Sequence, residues 1–162
     1  MAEHVPVELV GVRIQLPSQT PIILLKEQVG ARHVPIWIGA VEASAIAYAL
    51  EGVVPERPLT HDLMRDVVDS IGASVERVVV TEMRDQVFFA DLVLLASGGE
   101  VHVSARPSDA IALAVRTEAP IFVATSVLEE AGIELQDDDD PEEEIERFRE
   151  FLEDLTPEDF EG

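Results

Sequence analysis

Two stretches of this chain repeat each other, and that repetition narrows the possible folds more than any other feature. Ser44-Ala45-Ile46-Ala47-Tyr48-Ala49-Leu50 matches Asp109-Ala110-Ile111-Ala112-Leu113-Ala114-Val115 at an offset of 65, and Ile36-Trp37-Ile38 matches Val101-His102-Val103 at the same offset. Upstream, Val7 to Val12 matches Val75 to Val80 at 68, as a three-residue difference in the first turn would give. The pattern predicts an α+β fold: a mixed β-sheet from two tandem β-β-β-α units, about 5–52 and 73–117, with flanking helices and a C-terminal acidic helical tail.

Local signals supply the elements. Val5 to Ile14 and Ile22 to Lys26 are β-rich runs separated by Pro17-Ser18-Gln19-Thr20-Pro21, a string of turn formers. Val34 to Ile38 reads as a third strand, and Gly39 leads into an alanine-rich helix from Ala40 to Leu50. Thr60 is the expected N-cap of a helix from His61 to Ile71, with Leu59 and Met64 as its hydrophobic staple. Val75 to Met83, Val87 to Leu95 and Val101 to Val103 are the second set of strands. Pro107 suits a first helical position, Asp109 favours the positive helix end, and Pro120 opens a final strand from Ile121 to Ala124.

Charge divides the chain in two. Residues 134–162 hold fifteen acidic and two basic side chains, whereas residues 1–133 hold eighteen and nine. The first 133 residues are expected to form one domain, and 134–162 an acidic linker followed by a helix with Ile145, Phe148, Phe151, Leu152 and Leu155 on one stripe. A net charge of −22 is the reverse of what most tight nucleic-acid binders carry, because Lys and Arg contacts to phosphate supply non-specific affinity. Cysteine is absent, so thiolate chemistry and disulfides are excluded, and the four scattered histidines make no structural zinc pattern. With no run of eighteen apolar residues and charges at Glu3, Glu8 and Arg13, the expectation is a cytoplasmic protein without a membrane anchor.

Three motifs in fixed order carry a resemblance. Val34-Pro35-Ile36-Trp37-Ile38-Gly39 is followed by Glu42-Ala43, then by Leu50-Glu51-Gly52 with Arg57-Pro58-Leu59-Thr60-His61-Asp62, then by Ala105-Arg106-Pro107-Ser108-Asp109-Ala110-Ile111-Ala112. Together they are similar to the bifunctional nuclease (BFN) family, formerly a domain of unknown function, over about residues 5–130. The resemblance implies degradation of both RNA and DNA without strong sequence preference. Plant members of that family add a C-terminal module of the UvrB/UvrC-interaction type, where this chain has its acidic tail.

Phosphodiester cleavage needs an activated nucleophile, charge stabilisation at phosphorus and a proton for the leaving oxygen. The motif residues that suit these roles are His61, Asp62 and Asp109 as catalytic groups, and Arg57, Arg106 and Ser108 as phosphate binders. Glu42, Asp62 and Asp109 are the candidate ligands of a divalent cation, Mg²⁺ or Mn²⁺. Structural roles compete at each position. Thr60 reads better as a cap than as a catalytic hydroxyl, Glu42 and Asp109 complement helix dipoles, and Arg106 is placed to pair with either of them. Trp37 reads as core or interface rather than as a stacking platform.

Two functions follow: a nuclease with RNA or DNA as transient substrate, or a non-catalytic module that binds an anionic ligand or another protein. The acidic balance and the single lysine, Lys26, favour the second, while the resemblance favours the first. A duplicated unit with apolar edges also predicts a homodimer or higher homo-oligomer.

Overall fold

Strands β1 (His4–Gln15), β2 (Thr20–Glu27) and β3 (Arg32–Trp37) form an antiparallel meander that runs into helix α1 (Ala40–Leu50). After helix α2 (Thr60–Ser70) the pattern recurs: strands β4 (Ser74–Arg84), β5 (Val87–Ala96) and β6 (Gly99–Ala105) run into α3 (Pro107–Thr117). Strand β7 (Ile121–Ala124), helix α4 (Thr125–Ala131) and strand β8 (Ile133–Glu134) follow. The computed structural model describes residues 3–15 and 17–134, and the expected acidic linker and tail helix lie outside them.

All eight described strands share one sheet, in the order β6-β5-β4-β7-β1-β2-β3-β8. Strand β7 does not close the chain as its sequence suggests; it is the joint between the two units. It pairs antiparallel with β1 through Val7↔Ile121 and parallel with β4 through Val78↔Ile121. β1 and β4 therefore run in opposite directions, and a half-turn about β7 relates the two meanders. The seven-residue α4 and two-residue β8 were too short to leave a periodic signal.

The copies are spaced by 67 residues rather than 65. β2 and β5 start at Thr20 and Val87, β3 and β6 at Arg32 and Gly99, and α1 and α3 at Ala40 and Pro107. The two-residue error has a cause in the sequence: alanine alternates at 43, 45, 47 and 49 and again at 110, 112 and 114, so the helices match almost as well when slipped by two. In the true register Glu42 corresponds to Asp109 and Gly39 to Arg106, the N-caps of the two helices.

Small side chains let α1 and α3 pack against each other while both cover the sheet. Ile46 of α1 and Ile111 and Leu113 of α3 are fully buried with Ile23, Leu25, Val34, Val78 and Val80. Burying each such side chain stabilises the fold by about 1.5–3 kcal/mol. Trp37 packs on the opposite face of the sheet, against Ile22 and Leu24, which fits its reading as a core residue.

α2 begins one residue earlier than its sequence suggests. Leu59 is the N-cap and Thr60 the first helical residue, so the staple of Leu59 at N′ with Met64 at N4 does not form in that register. Asp62 at N3 caps instead, its Oδ2 accepting the Leu59 N–H at 3.1 Å. Leu59, Leu63, Val67 and Ile71, four residues apart, are left exposed along one side. No helix among the described residues is long and apolar enough to cross a membrane.

Candidate functional site

The right-handed twist of a wide sheet lifts one pair of diagonal corners toward the same face. Here α1 and α3 begin at the ends of β3 and β6, and Arg106 spans the two helix starts: its Nη2 donates to Glu42 Oε1 at 2.8 Å. Within α3, Arg106 Nε donates to Asp109 Oδ2 at 2.9 Å. The other oxygen of Asp109 lies 3.0 Å from Nε2 of His61 in the first turn of α2. Three helix starts thus meet in one chain of contacts, Glu42–Arg106–Asp109–His61.

Exposure grades along that chain. The Arg106 side chain is 66% exposed, Asp109 29%, Glu42 15% and His61 6%. The group nearest solvent is the cation, and the imidazole lies behind the carboxylate it contacts. Burial pushes the Asp109 carboxyl up, but its hydrogen bonds with His61 and Arg106 outweigh that and hold it below the usual carboxylate range. The same contacts, Asp109 first and Glu42 second, raise the Arg106 guanidinium further above its already high value.

Gly39 explains how Glu42 reaches Arg106. The Glu42 carboxylate folds back over the start of α1 and occupies the space that a Cβ at position 39 would need. Only glycine leaves that space open. At the corresponding place in the other unit stands Arg106 itself, so the duplication supplies two helix starts but a single arginine.

Asp62 belongs to a different assembly. Its Oδ1 accepts Arg116 Nε at 2.8 Å, and Arg116 also donates to the Ala112 and Ala45 carbonyls at 2.8 and 2.9 Å. The side chains are 13% and 5% exposed, so the pair is a buried tie from α2 through α3 to α1. Burial raises the Asp62 carboxyl, but Arg116, the Leu59 N–H and nearby Arg65 bring it below the usual range. Sequence reasoning missed Arg116, which in the last turn of α3 reads as an ordinary complement to the helix dipole. Arg57 is exposed in the α1–α2 loop and makes no hydrogen bond or ion pair among the described residues. Ser108 lies beside Arg106, only 6% exposed.

Of the residues expected to act together, the structure gathers His61, Asp109, Arg106 and Glu42, places Ser108 next to them, and separates Asp62 and Arg57. The expected cation ligands do not converge: Glu42 and Asp109 face the Arg106 guanidinium and Asp62 faces Arg116. Among the described residues no three His, Cys, Asp or Glu side chains form a group that could hold a metal ion. As arranged, this donor set fits guanidinium groups and not a divalent cation.

A mixed sheet of two β-β-β-α units, with a histidine–carboxylate–arginine chain where its helices begin, defines the class. The family model of the bifunctional nuclease domain matches residues 23–136, and the chain belongs to that family. It is 43% identical to an uncharacterized protein of Mycobacterium tuberculosis, over 95% of this chain and 96% of that one. It is also 33% identical to bifunctional nuclease 2 and 34% identical to bifunctional nuclease 1 of Arabidopsis thaliana, over 67% of this chain and 35% of each plant protein.

Proposed function

We propose that this protein hydrolyses phosphodiester bonds of RNA or DNA at the Arg106–Asp109–His61 chain. The supporting observation is the division of one carboxylate between a buried imidazole and an exposed guanidinium. Arg106 meets the phosphate and offsets charge that builds on its oxygens as water adds. Asp109, the carboxylate paired with that arginine, takes the proton of that water. His61 orients Asp109 through Nε2 and shares the charge change. Solvent at the exposed face protonates the leaving oxygen. Recognition through phosphate gives little sequence preference.

No step here uses a metal, so cleavage of single-stranded RNA and DNA is expected to persist in a chelator and to change little with added Mg²⁺ or Mn²⁺. Asp109→Ala and His61→Ala are expected to remove it. Activity that survives both substitutions unchanged would sink this site.

One observation favours binding without cleavage: both carboxylates of the chain already hold Arg106, as in a structural clamp. That reading predicts retention of nucleic acid by the intact protein with no product in the same assay. Self-association is proposed through the apolar side of α2, where Leu63, Val67 and Ile71 are exposed. Light scattering should then report a dimer or larger, and Val67→Asp a smaller species.

A further inference from the structure

Beside Arg106 lies a cleft of about 590 Å³ whose lining comes from both units. Its lining includes Gln19, Thr20 and Pro21 from the β1–β2 turn and Gln86, Val87 and Phe88 from the β4–β5 turn. These are the same three positions of each repeat, 67 residues apart, so the cleft straddles the joint. Gln19 and Gln86 both have left-handed backbone, φ 57° and 65°. Gly39 and Arg106, the N-caps of α1 and α3, complete the correspondence.

The lining has one charge and it is positive. A chain with 33 acidic and 11 basic side chains places no carboxylate in this cleft and one guanidinium. That guanidinium is pinned along one edge: Nε and Nη2 are held by Asp109 and Glu42, while Nη1 has no partner among the described residues. Fixed on one side and two-thirds exposed, Arg106 presents a pre-oriented N–H to whatever enters.

Ser108 points independently to a ligand. Its residue is 94% buried and lines the cleft, yet its hydroxyl makes no hydrogen bond among the described residues. No fully buried side-chain polar atom among the described residues lacks a partner, so the Ser108 oxygen keeps some accessible surface, at a residue that borders the cleft. Its backbone N–H, second in α3, is also outside the helix ladder. Arg106 and Ser108, two residues apart at the start of α3, thus bring a hydroxyl, a helix-start N–H and an arginine N–H to the same part of the cleft lining, where an anion fits.

We propose that this cleft binds a single nucleoside monophosphate unit, with the phosphate at Arg106 and Ser108 and the nucleoside toward Gln19, Gln86 and the apolar floor. Its volume falls within the range of small-ligand sites. The amides offer donors and acceptors to a base edge. Because only one of the two helix starts carries an arginine, the unit binds in one orientation and not two. The inference shares Arg106 as phosphate ligand with the hydrolysis proposed above and in that rests on it, but binding needs no chemical step, so the two fail separately.

The one tryptophan, Trp37, is among the residues that border the cleft. The full chain is titrated with AMP, adenosine, inorganic phosphate and a 5′-phosphorylated single-stranded oligonucleotide in chelator, following Trp37 emission and heat by calorimetry. AMP or the oligonucleotide should saturate below about 1 mM, with adenosine and phosphate roughly tenfold weaker or worse. Ser108→Ala and Gln86→Ala should each weaken binding by about tenfold with an unchanged melting temperature. Should Ser108→Ala fail to fold, Gln86→Ala carries the test alone. An oligonucleotide tighter than AMP identifies a strand end as the source, and the reverse identifies a free nucleotide; both support the site. Adenosine as tight as AMP, no saturation by either phosphorylated ligand, or affinity untouched by the folded variants would overturn it, whether or not the protein cleaves nucleic acid.

Discussion

The two ends of α3 each carry an arginine held by carboxylates, and the two assemblies differ in almost everything but residue type. Arg116, at the C-terminal end, is 5% exposed and meets one carboxylate and two carbonyls drawn from three helices. Arg106, at the N-terminal end, is 66% exposed and meets two carboxylates at the border of a cleft. In the first, each of the three guanidinium nitrogens already donates to a protein oxygen. The second keeps one nitrogen and most of its surface free. The same pairing of side chains is thus a buried lock in one place and, in the reading proposed above, a binding group in the other, and burial is what separates them.

Breaking the lock should have the largest effect. Arg116→Ala or Asp62→Ala leaves a buried charge without its partner, which costs about 3–5 kcal/mol, and urea titration should show it as a fall in the midpoint. A change below about 1 kcal/mol would place this pair with the weak surface bridges and erase the contrast. Arg106→Ala inverts the expectation: stability within about 1 kcal/mol of the parent, but cleavage slower by about 10²-fold or more. Loss of folding in that variant would make Arg106 a second lock.

Acid sharpens the comparison further. The Asp62 carboxyl titrates lower in the folded protein than in the unfolded chain. Its contribution is therefore fully present above the ordinary carboxylate range and is lost as pH falls toward the lower folded value. Asp62→Asn should flatten the acid limb of the stability profile, measured by thermal melts at stepped pH; an unaltered limb would show that other carboxylates dominate it. The smallest effect is expected from Gly39→Ala, whose Cβ would push the Glu42 carboxylate from its place. Since that carboxylate ends a flexible side chain, stability should change by about 1 kcal/mol or less, while Arg106, released from Glu42, should cleave nucleic acid measurably less well. Equal activity would remove Glu42 from the account.

Much of the architecture was legible in local patterns. Alternating apolar residues gave the first three strands of each unit, and Pro107 and Asp109 marked the start of α3. His61, Arg106 and Asp109 were recognisable because they stand in the motifs that carry the family resemblance, at helix starts that suit an anion. Local pattern failed where its period was ambiguous or its length too short. Alternating alanines allowed a two-residue slip, and α4 and β8 fell below any usable window.

By itself the sequence determined the α+β class, the duplication and the chemical types available for a site, because backbone propensity and periodicity act over a few residues. It could not say that Asp62 turns away from its neighbour His61, since the choice rests with Arg116, 54 residues further on. Nor could it seat β7 between the units, or bring Glu42 and Arg106, 64 residues apart, within 2.8 Å. Those outcomes come from sheet order and twist, which are set by the packing of the whole core. They decided which of two similar arginines is buried and which is left exposed.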